Sequence, residues 1–202
     1  MIDIHAHILP EIDDGASSLD QSLKMAGIAV EDGISTIVTT PHCLNGLYTN
    51  WRPDIISACA EFSRALEKRN IPLNILPGSE ARLCPEIMDE LEKGRLMTMN
   101  DAGKYLSLEL PDQFIPQSVV GFINRLRDRG ITPIITHPER NPVIQQHVEL
   151  LYDLISAGGL SQITAGSLTG DFGGRAFRCC QQIVEQDMLH FVASDAHSAG
   201  SR

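Results

Sequence analysis

The sequence has no apolar run near the roughly 20 residues that a membrane-spanning helix needs. Its opening, MIDIHAH, puts Asp3 and His5 where a secretory signal would carry a basic and then an apolar stretch. Both absences point to a cytoplasmic protein with no membrane insertion. Basic residues are scarce: 16 Lys and Arg stand against 26 Asp and Glu, a formal charge of −10 at pH 7. That balance argues against a track for nucleic-acid phosphates, which needs clustered Lys and Arg. An anionic substrate is still allowed, because acidic residues gathered around divalent cations count toward the same total. Five cysteines, two of them adjacent at Cys179 and Cys180 and none in a CxxC pair, exclude a disulfide framework and a zinc finger. They read as small buried hydrophobes. Low-complexity tracts, internal repeats and linkers are also missing, so the 202 residues read as one α/β domain with a sizeable core.

What is present is an alternation of β-type and helical runs. Residues 2–6 form a first strand. Ser18 to Asp32 reads as a helix, with Leu19, Leu23, Ala26 and Val30 at helical spacing and Gly33 placed to end it. Strands are expected over 34–40, over 73–80 ending at Glu80, over 104–111, over 131–137, at 160–165 and at 189–194. Helices are expected over 53–69, opened by Pro53 with Ile56, Cys59, Phe62 and Leu66 on one face, and over 85–93 and 117–129. About seven βα units result.

The chemically loaded side chains fall at the C-terminal ends of these strands. They are His5 and His7, which share a strand face, then His42, Glu80, Glu109, His137, Asp195 and His197. A parallel α/β barrel brings such ends to one rim, where these folds build active sites. The carboxylates of Asp14, Glu80, Glu109 and Asp195 with the imidazoles of His5, His7, His42, His137 and His197 are too many ligands for one ion. Two or three divalent metals are therefore implied, of the manganese, iron or zinc kind that accepts mixed nitrogen and oxygen ligation. Taken alone, His5 and His7 also fit a satisfied core pair; the remaining residues favour ligation. Asp13 competes with Asp14, and Glu109 is either a ligand or a group orienting one. His147 and His190 lack such context and read as structural.

The motifs HAH (5–7), DDG (13–15), TPH (40–42), GSE (78–80), HPERN (137–141) and SDAH (194–197), in this order, resemble the polymerase-and-histidinol-phosphatase (PHP) superfamily. They are most similar to the manganese-dependent tyrosine-protein phosphatases of bacterial capsule and exopolysaccharide loci. The likeness extends to NGLYTN (45–50), LEKGRL (91–96) and SLTGDFG (167–173). The resemblance implies a distorted (β/α)7 TIM-like barrel and a single metallophosphatase domain over 1–202 whose relatives continue through further helix. It also implies three manganese sites, one held by His5, His7, Glu80 and Asp195, a second by Glu80, Glu109 and His137, and a third by Asp14, His42 and His197. The implied substrate is a phosphotyrosine protein, a bacterial tyrosine autokinase controlling polysaccharide synthesis. A small-molecule phosphatase of the histidinol-phosphate type and a catalytically silent metal- or phosphotyrosine-binding regulator are the alternatives.

Paired cations make water nucleophilic at neutral pH and grip phosphoryl oxygens. Arg140 and Arg202 are the expected clamps for those oxygens. A phenolate leaving group, with a pKa of about 10, needs little acid catalysis, and its proton comes from water at the site or from Asp195. Tyr48, with Asn50 and Trp51, either shapes the pocket mouth or packs a loop. Conventional tyrosine phosphatases use a thiolate with an arginine at a fixed short spacing, and none of the five cysteines has that partner. Cys43 stands where relatives carry a second histidine, which puts a thiol open to oxidation beside the expected metals.

Overall fold

A proline splits one strand that the residue pattern reads as continuous, and another separates an expected strand from a short one beyond it. In the computed structural model, which describes residues 1–200, β2 (Thr36–Thr39) stops before Pro41 and the short β3 (His42–Cys43) follows; β4 (Asn74–Leu76) stops before Pro77, and β5 (Glu80–Arg82) follows. Proline has no N–H for the ladder and restricts the residue before it. The short strands β3 and β5 pair in parallel with His42 opposite Glu80. Glu80 thus opens a strand instead of ending one, and two expected site residues become cross-strand neighbours.

The chain divides into two compact units. The first comprises Met1–Ala102 and the segment from Ser194 onward. Its main sheet is parallel, with β1 (Ile2–Ala6), β2 and β4 in that order. Helices α1 (Leu19–Glu31), α2 (Arg52–Lys68) and α3 (Ile87–Glu92) complete it. Ser18 caps α1 by accepting from the Gln21 N–H, and Gly33, with φ of +83°, ends it. The buried stripe of α1 is Ser22, Met25, Ala26 and Ala29, with Leu19 exposed. On α2 the buried residue is Ile55, 0% exposed, and not Ile56, 40% exposed. On α2 the expected Cys59, Phe62 and Leu66 are buried; on α1 only Ala26 of the expected face is, and the small Ser22, Ala26 and Ala29 let that helix lie close.

The second unit, Gly103–Ala193, is a parallel sheet of β6 (Tyr105–Glu109), β7 (Thr132–Thr136), β8 (Leu160–Thr164) and β9 (Phe191–Ala193). Leu106, Ser107 and Leu108 in β6, and Ile134, Ile135 and Thr136 in β7, are buried without alternation, as in a sheet covered on both faces. Its helices are α4 (Val119–Asp128), α5 (Glu149–Ser156), α6 (Ala165–Thr169) and α7 (Gly173–Glu185). Cys179 and Cys180 lie on the buried face of α7 with Ala176 and Ile183.

The α/β class with parallel strands is as expected. The nine strands among the described residues exceed the expected seven because Pro77 splits the strand expected over 73–80 and the short β3 follows Pro41, and within neither unit do strands close into a ring. No helix among the described residues is long and apolar enough to cross a membrane.

Two motif glycines are required by close approach. A Cβ on Gly15 would fall inside contact distance of the His7 carbonyl oxygen, and one on Gly78 would lie 2.7 Å from the Thr39 carbonyl oxygen. Gly121, inside α4, has open space around it. Gly15→Ala should cost about 2 kcal/mol in urea unfolding, whereas Gly121→Ala should stabilise by about 0.5–1 kcal/mol.

Candidate metal centre

β1 delivers His5 and His7 to one face, and the SDAH segment runs beside the strand's end. Asp195 N–H donates to the His5 carbonyl at 2.8 Å, and His7 N–H donates to the Ala196 carbonyl at 2.9 Å. The first unit therefore gathers four buried donors. The Nε2 atoms of His5 and His7 are 3.2 Å apart. Asp195 Oδ1 lies 3.2 Å from the first and 3.5 Å from the second. Glu80 places Oε1 3.5 Å from His5 Nε2 and Oε2 3.7 Å from His7 Nε2. Ligands around one tetrahedral ion with bonds of 2.0–2.2 Å sit about 3.3–3.6 Å from one another. The observed spacings of 3.2–3.7 Å lie close to that requirement; His5, His7 and Asp195 form one potential ligand group, with the Glu80 carboxylate beside it.

Asp13 and Asp14 have different jobs. His7 Nδ1–H donates to Asp13 Oδ2 at 2.7 Å, and the backbone N–H groups of His42 and Gly15 donate to the same carboxylate at 3.1 and 2.9 Å. Burial pushes the Asp13 carboxyl up, but these hydrogen bonds outweigh it and hold it below its ordinary value. Burial pushes His7 down against the pull of Asp13, so the ring is neutral at neutral pH, with its Nε2 lone pair toward the other donors. Asp14 instead faces two imidazoles, with Oδ1 3.4 Å from His42 Nε2 and 3.7 Å from His197 Nε2. His197 Nδ1–H donates to the Asp195 carbonyl at 2.9 Å, which again turns Nε2 to the cluster, and its ring stacks on His7 at 4.0 Å. His7, Asp14, His42 and His197 form a second potential ligand group, while His42 Nδ1 lies 3.1 Å from Glu80 Oε2.

Asp3 is a functional support that motif spacing did not single out. Its buried carboxylate accepts from the N–H groups of His5 and Ser194 and, at 2.5 Å, from the Ser194 hydroxyl, fastening β1 to the SDAH segment. Its signal was the two-residue period of Asp3, His5 and His7. Asn50 also proves a tie, donating to the Ile12 and His42 carbonyls at 3.0 and 2.9 Å. Trp51 packs under the Arg95 guanidinium, whereas the Tyr48 ring lies parallel to His42 at 6.2 Å between centroids.

In the second unit, Glu109, His137 and Arg140 line a cavity of about 240 Å3 with Thr136, Asn141 and Asp112. His137 follows β7 in the left-handed region, φ 33° and ψ 48°, and Asp195 in the first unit is also left-handed at φ 52°. Non-glycine residues held there cost about 1–3 kcal/mol and cluster at functional sites. Three residues of HPERN have partners that fix the turn or its arginine. Glu139, fully buried, accepts from Thr164 N–H and the Ser167 hydroxyl at 3.0 and 2.7 Å. Asn141 donates to the Pro111 carbonyl and accepts from the Val143 and Ile144 N–H groups. Arg140 lies over the Phe172 ring at 4.3 Å. Arg202 lies outside the described residues. His147 pairs with Glu149 at 3.0 Å on the surface, and His190 accepts from the Ser161 N–H at 3.2 Å.

Burial keeps the cysteines protonated. The Cys43, Cys179 and Cys180 thiols are pushed up to about 12, Cys84 to about 11, and Cys59 is also raised. The expectation of an oxidation-prone Cys43 is therefore corrected: its side chain is fully buried, and its thiol stays protonated at neutral pH.

Residues 1–202 match the family described as "Capsular polysaccharide synthesis, CpsB/CapC". Tyrosine-protein phosphatase YwqE of Bacillus subtilis is 43% identical over 202 residues, covering all of this chain and 79% of that protein. Tyrosine-protein phosphatase CpsB of Streptococcus agalactiae serotype V is 28% identical over 207 residues, covering all of this chain and 85% of its own length. Among solved structures, the work described as "Crystal structures of YwqE from Bacillus subtilis and CpsB from Streptococcus pneumoniae, unique metal-dependent tyrosine phosphatases" contains a chain 42% identical with TM-score 0.95, matched over 100% of this chain and 81% of that one.

Asp13→Asn should weaken Mn2+ binding about 10–100-fold in a chelator-competition titration, and His190→Ala should leave it unchanged. Iodoacetamide at pH 7.5 should label Cys43, Cys179 and Cys180 only after unfolding, as read by mass spectrometry.

Proposed function

The chain belongs to the CpsB/CapC family of capsular polysaccharide synthesis, and from that premise we propose that it is a metal-dependent protein-tyrosine phosphatase with water as its nucleophile. The observation that carries the reading is the buried set of His5, His7, Glu80 and Asp195 with donors at ligand spacing, in a chain whose thiols are all held protonated. Divalent cations bound by such residues supply Lewis acidity toward water and neutralise phosphoryl charge.

We assign His5, His7, Glu80 and Asp195 to one ion and Asp14, His42 and His197 to another, with Glu109 and His137 as ligands of a further ion. Manganese is the metal we propose. Arg140, steadied by Phe172, takes phosphoryl oxygens by paired N–H donation, and Tyr48 packs against the aromatic leaving group at the mouth. Asp195 is our candidate for the proton that meets the departing phenolate. The chain works in the cytoplasm as one metallophosphatase domain over 1–202 of distorted (β/α)7-barrel kind, a reading supported by its alternation of parallel strands and helices. Its target in this reading is a bacterial tyrosine autokinase of polysaccharide synthesis.

The test is turnover of a phosphotyrosine peptide by metal-stripped protein before and after Mn2+ is added. Manganese should restore hydrolysis, and His42→Ala or His137→Ala should lower kcat/KM by at least about 100-fold. Bound metal without turnover would favour a silent regulator, and preference for histidinol phosphate would favour the small-molecule reading.

A further inference from the structure

Outside the candidate centre, the second unit has a cleft of about 540 Å3 between the turn at 142–146 and α7. Arg175 and Arg178 on α7 line it, with the carboxamides of Gln145, Gln146 and Gln182 and the edge of Pro142. No acidic side chain is among its lining residues. Three positions apart on one helix, the two arginines face the same way. Neither has a hydrogen bond or ion pair among the described residues, whereas Arg52 is held by Asp101 and Arg95 by Glu90. Two exposed, unneutralised guanidiniums in a chain with 26 acidic and 16 basic residues form a local positive site against the net charge. Guanidinium forks beside carboxamide donors are the chemistry that recognises carboxylate and phosphate groups.

The cleft is joined to the candidate centre by a braced segment. Arg140 and Asn141 line the cavity of Glu109 and His137, and Pro142, the next residue, lines the cleft. Asn141 fixes this turn through Val143 and Ile144, and Phe172, which supports Arg140, immediately precedes α7. We propose that the cleft is a second anion subsite, which takes a carboxylate or phosphate carried by the substrate peptide a few residues from the phosphotyrosine under attack. The proposal rests on the phosphatase reading for its substrate and adds a specificity element that the reading does not contain.

The test compares the manganese-loaded protein with the Arg175→Gln/Arg178→Gln double variant. Three probes are used: free phosphotyrosine, and phosphotyrosine peptides with neutral flanks or with anionic flanks, the latter carrying either glutamate or a second phosphotyrosine. Binding of the same peptides with a non-hydrolysable phosphonate in place of the scissile phosphate is followed by fluorescence anisotropy. The variant should raise KM and weaken binding about tenfold for anionic flanks only, with kcat and the other two probes unchanged. The difference should shrink in 0.5 M salt, and Arg175→Lys/Arg178→Lys should restore part of it. Response to glutamate flanks identifies an acidic segment as the ligand, and response to the second phosphotyrosine alone identifies a multiply phosphorylated one. Anionic-flank binding equal in variant and wild type, or equal loss on all probes, overturns the subsite. Binding is read without turnover, so a wild type that binds in an arginine-dependent way but hydrolyses nothing contradicts the phosphatase reading and leaves the subsite standing.

Discussion

The hydrogen bond from His7 to Asp13 is the contact on which the first unit's cluster depends. It sets the His7 tautomer, aims Nε2 at the donors of His5, Glu80 and Asp195, and through the same carboxylate holds the backbone of His42. A buried carboxylate is costly unless its lone pairs are used, and here His7, His42 and Gly15 all donate to it. The sequence supplies the means at DDG: Asp13 turns inward, Asp14 turns to His42 and His197, and Gly15 lets the loop lie against the His7 backbone. Asp3 does the corresponding work one pleat earlier, joining His5 to Ser194.

The second unit applies the same division of labour to one short turn. In HPERN, Glu139 Oε1 and the Asn141 carboxamide bond to the protein, and His137 and Arg140 line the cavity with Glu109. SLTGDFG holds no expected ligand but supports HPERN: Ser167 bonds Glu139 and Phe172 lies under Arg140. His137 and Asp195 are two of the eight non-glycine residues among the described ones that occupy left-handed backbone.

The alternation of β and helical runs was legible because parallel strands leave continuous apolar stretches and helices leave a longer period. The strand ends at TPH and GSE were legible as chemistry but not as geometry, because the proline breaks that make β3 and β5 leave no change in hydrophobic pattern. The buried face of α1 was misjudged by a step and that of α2 at one position, since Ser22 and Ile55 compete with equally plausible neighbours until the packing partner is known. Motif order pointed to imidazoles and carboxylates that the structure gathers into potential ligand groups, yet could not separate Asp13 from Asp14. That distinction is made by which way adjacent side chains point. The Arg140–Phe172 contact, between residues far apart in the chain, has no local signature at all.

The most direct measurement is the anomalous diffraction of a manganese-soaked crystal, collected above and below the manganese edge. A difference peak among the Nε2 atoms of His5 and His7 and the carboxylates of Glu80 and Asp195 is the result this account requires. An ordered protein with those four side chains in place and no anomalous density among them would contradict it.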